Sequence, residues 1–298
     1  MDADGMIPAL VLIDTLMEQR DHHRDVRTQV PDSEVMLIAV VAATSCQPHH
    51  ERAVWMLRET RSLAGRIAVT RCNRRRQRLA DWLAFIATTL GEVLLTGEVL
   101  IMDSLPLPVG RRGRARRGRQ GRGRADCGSW AAKTEQLFGW RLHLIGPPSG
   151  IPVSLQLAPA AVHDVPPIHE LAVGVPPGAR LGGDQADTSA PDETTMRAET
   201  GVRLIPIRQA TMPPHAWVVD ASAWHDYRHT IETVNSQCEQ MGRERLYART
   251  NGGFELKVLA SIIALACTNM NEQSRCPVTP YQLRKVLRVN CSLRGRNR

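Results

Sequence analysis

The sequence has little lysine, few aromatic residues and no long hydrophobic segment. Only three of its 38 basic residues are lysines, and Phe, Trp and Tyr together make up 4% of the 298 residues. Its longest apolar runs, such as residues 258–267, are much shorter than the roughly 20 residues that a membrane helix needs. The first residues include acids where a secretory signal has a basic region. We therefore expect no membrane span and a cytoplasmic location.

The seven cysteines form no metal-binding or disulfide pattern. They are odd in number and widely spaced, with no Cys-x-x-Cys pair and no His at zinc-finger spacing. This spacing makes a structural zinc site unexpected, and the length of 298 residues excludes a mini-protein held by disulfides. The chain length instead predicts about two domains, each long enough to bury its own core.

Arginine supplies almost all of the basic charge. The formal net charge is +8, and residues 111–124 contain eight arginines interspersed with glycines. Because a guanidinium binds phosphate in bidentate geometry, this composition favours a polyanionic partner. A GC-rich coding bias is an alternative source of the arginine-to-lysine ratio, although it does not explain the clustering.

Residues 1–97 carry the periodicity of helices. Pro31-Asp32-Ser33 is a helix start signal before an apolar helical face, and residues 50–63 and 79–95 repeat this period. The basic segment 70–76 between them is predicted to be a turn. Short helices joined by a basic turn suit a helix-turn-helix-like DNA-binding domain over residues 1–97. A solvated basic face is the alternative interpretation.

From residue 98 the pattern changes to strands and helices. Residues 99–102 predict a buried strand that ends at Asp103, where prolines follow, and residues 139–157 predict a β-hairpin. The remaining predicted elements are, in order, helix 164–173, strand 179–182, helix 191–200, strand 202–207, and helices 222–242 and 253–270. This order is ribonuclease H-like. We expect an α/β domain over residues 98–271, a mixed sheet flanked by helices, with an Arg-rich insertion at 110–124 and a basic, partly disordered tail at 272–298.

Three acids of this predicted domain lie at the ends of strands or in a helix that follows a strand. Asp103 ends the first strand, Asp184 follows the fourth, and Glu232 lies in the long helix after the fifth. A two-metal site for phosphoryl transfer needs clustered carboxylates around ions about 3.5–4 Å apart. Like charges in one pocket are costly without a cation, so convergence of these acids would imply metal. Separate surface acids are the alternative interpretation.

Six short segments around these acids match a family pattern. They are, in chain order, Asn73-Arg74-Arg75, Asp103-Ser104-Leu105-Pro106-Leu107-Pro108, Phe138-Gly139-Trp140-Arg141-Leu142-His143, Gly183-Asp184, residues 228–237 and Gly253-Phe254-Glu255-Leu256-Lys257. With these segments the chain resembles the bacterial insertion-sequence DDE transposases, in the branch with a strand-ending Asp-Ser-x-Pro-x-Pro motif.

The resemblance implies a DNA transposase with a ribonuclease H-like catalytic domain. In such a protein Asp103, Asp184 and Glu232 would be the catalytic residues and would bind two Mg²⁺ or Mn²⁺ ions. The ions would activate water, and then a DNA 3′-hydroxyl, for attack on a phosphodiester. The implied partners are double-stranded DNA, both terminal inverted repeats and target, and further copies of the chain in a homo-oligomeric synapse.

Arginines are the expected DNA contacts. Arg228 precedes Glu232 by four residues, so on a helix it would share that face and contact phosphate or steady the carboxylate. An ordinary surface ion pair is the alternative for Arg228. The other expected DNA-binding residues are Arg74, Arg75, Arg76, Arg111, Arg112, Arg116 and Arg117.

The chain departs from the family pattern beside the second acid. The family usually has Lys, a small residue and an aromatic after this Asp, whereas Gln185-Ala186-Asp187 follows Asp184 here. This departure keeps the first of two alternatives to an active transposase open, whereas the ordered acidic triad argues against the second. One is a catalytically inactive DNA-binding relic, and the other is an arginine-rich RNA-binding protein.

Overall fold

The protein has a mixed α/β structure in two compact units. The computed structural model describes residues 3–23, 25–95, 97–111, 124–130, 135–163, 165–183, 190–206, 221–242, 246 and 248–273. Within these ranges it has nine helices and one six-stranded mixed sheet. Contacts divide the chain into a first unit, Met1–Val93 with Cys238–Arg298, and a second unit, Leu94–Gln237.

The described part of the first unit is helical. Its helices are α1 (Ala3–Gln19), α2 (Asp32–Ser45), α3 (His50–Glu59), α4 (Val69–Arg78), α5 (Ala80–Leu94) and α9 (Asn251–Gln273). Helix α2 is buried on every side from Val35 to Ala43, as expected of a helix that is apolar all round. Helices α1, α3, α4 and α9 pack against it.

Helix α9 is both long and apolar. Among the described residues, the segment Asn251–Met270 has the length and composition of a membrane-crossing helix, and 67% of its most apolar window is buried inside the protein. It packs on α1 and α2. Burial of this kind is also what the core helix of a folded domain shows. The contacts place α9 in the first unit, whereas the sequence had assigned residues 253–270 to the catalytic domain.

The prediction of a basic turn at residues 70–76 is wrong, because these residues lie in helix α4. The helix escaped detection because its apolar face is very small. Only Cys72 and Arg76 are buried among its ten residues. Hydrophobic periodicity, the main sequence signal for a helix, is therefore almost missing here.

The second unit is built on the sheet. Its strands are β1 (Val99–Arg111), β2 (Asp126–Trp130), β3 (Glu135–Gly146), β4 (Ser154–Pro159), β5 (Arg180–Gly183) and β6 (Arg203–Pro206). Its helices are α6 (Val165–Ala172), α7 (Ala190–Thr200) and α8 (Ala221–Gln240), the last of which belongs to this unit as far as Gln237.

The sheet combines antiparallel and parallel pairs. Strand β3 pairs with β2 and β4 along one edge and with β1 along the other, all antiparallel, and β1 then continues through parallel β5 and β6. Asp103 lies opposite Leu144 of β3, and Ile101 lies opposite Gly182 of β5. The predicted strands and helices of this region are present, and β2 is an additional strand.

Strand β1 continues eight residues beyond Asp103, so the prediction that it ends there is wrong. Pro106 and Pro108 lie inside it. Proline is tolerated in a strand where its missing N–H faces an unpaired edge. Among the described residues, only Val99–Ile101 of β1 pair with β5, which leaves that edge of β1 without a neighbour beyond Ile101.

The two faces of β1 have different surroundings. Leu100 and Met102 belong to a buried apolar cluster with residues of α6, α7, β5 and β6. Because successive strand residues point to opposite faces, Ile101 and Asp103 lie on the other face. Ile101 lines an apolar crevice there with Ile231 and Val234 of α8. Asp103 is therefore on the face of the sheet that α8 approaches.

Candidate functional site

Asp103 is held at a defined position on β1. Its side chain is half-buried, and its Oδ1 accepts a hydrogen bond from the backbone N–H of Ser104 at 2.7 Å. Its Oδ2 accepts a hydrogen bond from Nδ2 of Asn235 on α8. Both carboxylate oxygens are thus engaged by donors, which fixes the orientation of the group.

Glu232 lies one helical turn before Asn235 on α8. Its side chain is 52% exposed, and its Oε2 lies 3.4 Å from Nδ1 of His229. An ion pair this exposed contributes little to stability. Because residues three apart on a helix are neighbours, the bond from Asn235 to Asp103 brings the turn that carries Glu232 toward β1.

The third predicted acid, Asp184, lies outside the described residues. It follows Gly183, the last residue of β5. Arg228 lies in α8, but its side chain is outside the described part, as are Arg112, Arg116, Arg117 and the tail from residue 274. Arg111 ends β1, where it lies opposite Leu137.

The oxygens around Asp103 suit a hard cation. Among the described residues there is no group of three or more His, Cys, Asp or Glu side chains that could hold a metal ion. However, Oδ1 of Asn235 is buried and has no hydrogen-bond partner in the described part. Carboxylate and amide oxygens are the ligands that Mg²⁺ prefers. Asp103 and Asn235 therefore supply oxygens of the type that such an ion prefers.

In the first unit, Arg75 links α4 to the start of α2. Its Nη2 and Nε lie 2.5 and 3.1 Å from Oδ1 of Asp32, and its Nη1 donates to the carbonyl oxygen of Val30 at 2.8 Å. Oδ2 of Asp32 also lies 3.0 Å from Nε2 of His22. Arg75, expected as a DNA contact, thus has an evident structural role.

Arg76 is buried, although it was expected to contact DNA. It is 6% exposed, and its Nε and Nη1 have no hydrogen-bond partner among the described residues. Burial lowers its pKa. Burial and the positive charge of Arg76 also lower the pKa of Lys257 to about 8. For His50, burial and the charges of Arg76, Lys257 and His49 lower the pKa to about 2. Within the described part of this unit, a buried guanidinium therefore has two donor nitrogens without a hydrogen-bond partner.

Sequence reasoning missed two of the three exposed arginines of α4, Arg71 and Arg78. Arg71, Arg74 and Arg78 are exposed on the helix, and only Arg74 had been singled out. With Arg75 and Arg27 they line a groove. The spacing of Arg71, Arg74 and Arg78 would have shown the shared face had residues 70–76 been taken as a helix.

The helical periodicity of residues 50–63 predicts that Trp55 is a core residue, but this prediction is wrong, because Trp55 is 65% exposed. The buried positions of α3 are His50, Ala53, Val54 and Leu57. These positions define one helical face, and position 55 lies about 100° from its neighbour Val54, away from that face. Trp82 does pack, edge to face, against His22 and Phe85.

Two arrangements therefore stand out in the described residues. The second unit brings Asp103 together with Asn235, one turn from Glu232, and the first unit carries an arginine groove around α4. No family model, no curated protein and no solved structure matches the chain.

Proposed function

We propose that the chain is a DDE-type DNA transposase, which binds the terminal inverted repeats of an insertion sequence and cleaves and joins DNA strands. The observation that carries the proposal is the hydrogen bond from Asn235 to Asp103. It connects the strand that bears one predicted metal ligand to the helix that bears another, Glu232. Such a protein would act in the cytoplasm, on nucleoid DNA.

The strand order supports a ribonuclease H-like catalytic domain. Three antiparallel strands, β4, β3 and β1, are followed across the sheet by the parallel strands β5 and β6. This is the arrangement expected from the order of predicted elements. Strand β2, next to the Arg-rich insertion, lies on the same edge of β3 as β4. It therefore does not change the order of the other five strands.

The register between β1 and β5 supports convergence of two acids. Ile101 and Gly182 form the last parallel pair. Asp103 and Asp184 each follow these partners by two residues, in strands that run in the same direction. Two residues at equal spacing after one parallel register pair stand at the same level along their two chains. This spacing favours one site over two separate surface acids.

The proposed chemistry assigns a role to each residue. Two Mg²⁺ or Mn²⁺ ions would supply an activated nucleophile and neutralise charge at the attacked phosphodiester. Asp103, Asp184 and Glu232 would hold them. Asn235 would keep the Asp103 carboxylate oriented, and its Oδ1 would offer a further oxygen. Joining two element ends at once requires at least two copies of the chain.

Strand cleavage of DNA that carries the flanking inverted repeats, with Mg²⁺ or Mn²⁺, tests the proposal. The variants Asp103→Ala, Asp184→Asn and Glu232→Gln should each abolish cleavage at the element ends. The control Asp226→Asn, at an exposed position of α8, should cleave like the wild type. Cleavage that survives in any of the three variants would overturn the assignment of that acid.

The inactive relic is the second candidate, and one observation favours it. Gln185-Ala186-Asp187 replaces the Lys and aromatic usual after the second acid, and Asp187 adds negative charge where phosphate would bind. The relic would bind the same DNA without cutting it in either metal. The cleavage experiment therefore separates the two candidates directly.

A further inference from the structure

The arginines of α4 form a stripe along one helical face. Arg71, Arg74, Arg75 and Arg78 stand at relative positions 0, 3, 4 and 7, which share a face on a helix. Like charges four residues apart on a helix destabilise it. Helix stability therefore does not account for the stripe.

Three members of the stripe are available to a ligand. Arg75 is engaged by Asp32 and Val30. Arg71, Arg74 and Arg78 are exposed, and none of them makes a hydrogen bond or ion pair among the described residues. Their charge is thus not neutralised within the described part of the protein.

A second segment contributes to the same groove. Arg27, from the chain between α1 and α2, is exposed and lines the groove together with the stripe. The groove has five arginines against two aspartates, Asp25 and Asp32, and no aromatic side chain is among its described lining residues. Asp32 is already engaged by Arg75 and His22.

We propose that this groove binds the phosphate backbone of duplex DNA without reading base sequence, through Arg27, Arg71, Arg74 and Arg78. The inference rests on the proposed function and specifies its DNA-binding surface. Guanidinium groups bind phosphate in bidentate geometry. From Arg71 to Arg78 the stripe rises about 10 Å along the helix axis, enough to meet more than one phosphate of a strand, since phosphates follow at about 3.4 Å along the duplex axis. Aromatic platforms, on which unpaired bases stack, are absent from the described lining, which favours a duplex over a single strand.

The set of DNA-binding arginines in this proposal differs from the set expected from the sequence. Arg74 is common to both. Arg75 and Arg76 are replaced by Arg71, Arg78 and Arg27, because Arg75 is tied to Asp32 and Arg76 is buried. Helix α4 therefore has a DNA-facing side and a structural side.

The salt dependence of duplex binding tests the groove. Fluorescence anisotropy is measured in EDTA with a labelled duplex of about two helical turns, from about 50 to 200 mM KCl. Each of Arg27→Gln, Arg71→Gln, Arg74→Gln and Arg78→Gln should lower affinity several-fold. Each should also reduce the slope of log K against log salt by about 0.9, the value for one lost phosphate contact. The loss should be the same with and without the inverted-repeat sequence.

The matched control is Arg58→Gln, which removes one exposed positive charge from α3 outside the groove. It should leave the slope unchanged. Circular dichroism of every variant confirms that helix content is retained. The groove proposal would be overturned if the four groove variants had the same salt slope as Arg58→Gln. It would also be overturned if the wild type bound single-stranded RNA as tightly as duplex DNA, or more tightly.

Cleavage with Mn²⁺ is measured on the same proteins, so that the two proposals fail separately. A wild type that binds with a groove-dependent slope but never cleaves would retain the groove and overturn the transposase. Groove variants that bind like the wild type, while cleavage still depends on Asp103, would overturn the groove alone. A wild type that binds no duplex at all would overturn both.

Discussion

The side-chain amide of Asn235 donates a hydrogen bond to the carboxylate of Asp103, across 132 residues of sequence. The other oxygen of the same carboxylate accepts a hydrogen bond from the backbone N–H of Ser104. Asn235 lies on a helix whose apolar residues Ile231 and Val234 line a crevice with strand β1. A polar contact and an apolar one therefore act together to place α8 against the strand that carries Asp103.

Asn235→Ala should lower metal-dependent DNA cleavage by about 10–100-fold, as is usual when a group that orients a metal ligand is removed. It should also raise the Mn²⁺ concentration needed for half-maximal cleavage. The reason is that Asp103 would lose the donor that fixes Oδ2, and the site would lose the oxygen Oδ1. A Mn²⁺ titration of the cleavage rate measures both effects.

Ser236→Ala is the control for this prediction, since Ser236 is the exposed neighbour of Asn235 on α8. It should keep the wild-type Mn²⁺ dependence. If Asn235→Ala lowers the rate equally at all Mn²⁺ concentrations, Asn235 contributes to the packing of α8 and not to metal binding.

Arg76→Met should raise the free energy of unfolding by about 1–3 kcal/mol, the usual cost of a buried donor without a partner. Methionine fills a similar elongated space without carrying charge. Because the charge of Arg76 lowers the pKa of Lys257, the variant should also bring that pKa back up from about 8. Urea denaturation measures the first effect. A variant less stable than the wild type would contradict this prediction, which rests on the lack of a hydrogen-bond partner for the Arg76 guanidinium among the described residues.

DNA binding by the same variant separates the two sides of α4. Arg76 is buried, whereas Arg74 is exposed two positions earlier. Arg76→Met should therefore bind duplex DNA with the wild-type salt dependence, and Arg74→Gln should not. Equal losses in both variants would show that net charge, and not the exposed groove, controls binding.

Much of the fold followed from the sequence because its elements have strong local signals. Helices α2, α5 and α6 lie within a few residues of the predicted segments. Strands β5 and β6 are short, yet turn residues and helices bracket them clearly. Where the local signal is weak, prediction failed: α4 has almost no apolar face, and β1 runs through two prolines that an unpaired edge tolerates.

The site was only partly predictable, for a different physical reason. Asp103 and Glu232 stand in short motifs that can be found by inspection of the sequence. The pairing of Asn235 with Asp103 depends on how α8 packs on the sheet, and no local pattern encodes a contact between residues so far apart. The burial of Arg76 beside the exposed Arg74 depends in the same way on which side of α4 faces the core.

Gly139→Ala should destabilise the second unit, by about 1–3 kcal/mol or more. A Cβ at this position would lie 2.2 Å from the carbonyl oxygen of Leu107 and 3.1 Å from the backbone of Pro108. Both belong to β1, so relief of the clash requires the strand itself to move. Thermal denaturation measures the effect. The control Gly174→Ala would meet its nearest atom at 3.6 Å, an ordinary contact, and should melt near the wild-type temperature.

The neutral state of His50 should make the first unit sensitive to acid. Burial and nearby positive charge lower its pKa from 6.5 to about 2 in the folded protein. Between these two pH values the unfolded chain binds a proton at this site and the folded chain does not, so the free energy of unfolding falls as the pH falls. The slope from one such group approaches about 1.4 kcal/mol per pH unit.

His50→Gln removes this titration and should therefore flatten the decrease in stability below pH 6.5. Urea denaturation at a series of pH values from 7 down to about 4.5 measures the slope for both proteins. The control His23→Gln, at an exposed position of the same unit, leaves the burial of His50 unchanged and should keep the wild-type slope. Parallel curves for the wild type and His50→Gln would mean that His50 has the same pKa in the folded and unfolded protein, and so is protonated in the folded protein below that pKa. In that case the positive charges of Arg76 and Lys257 beside it would have to be balanced by an anion.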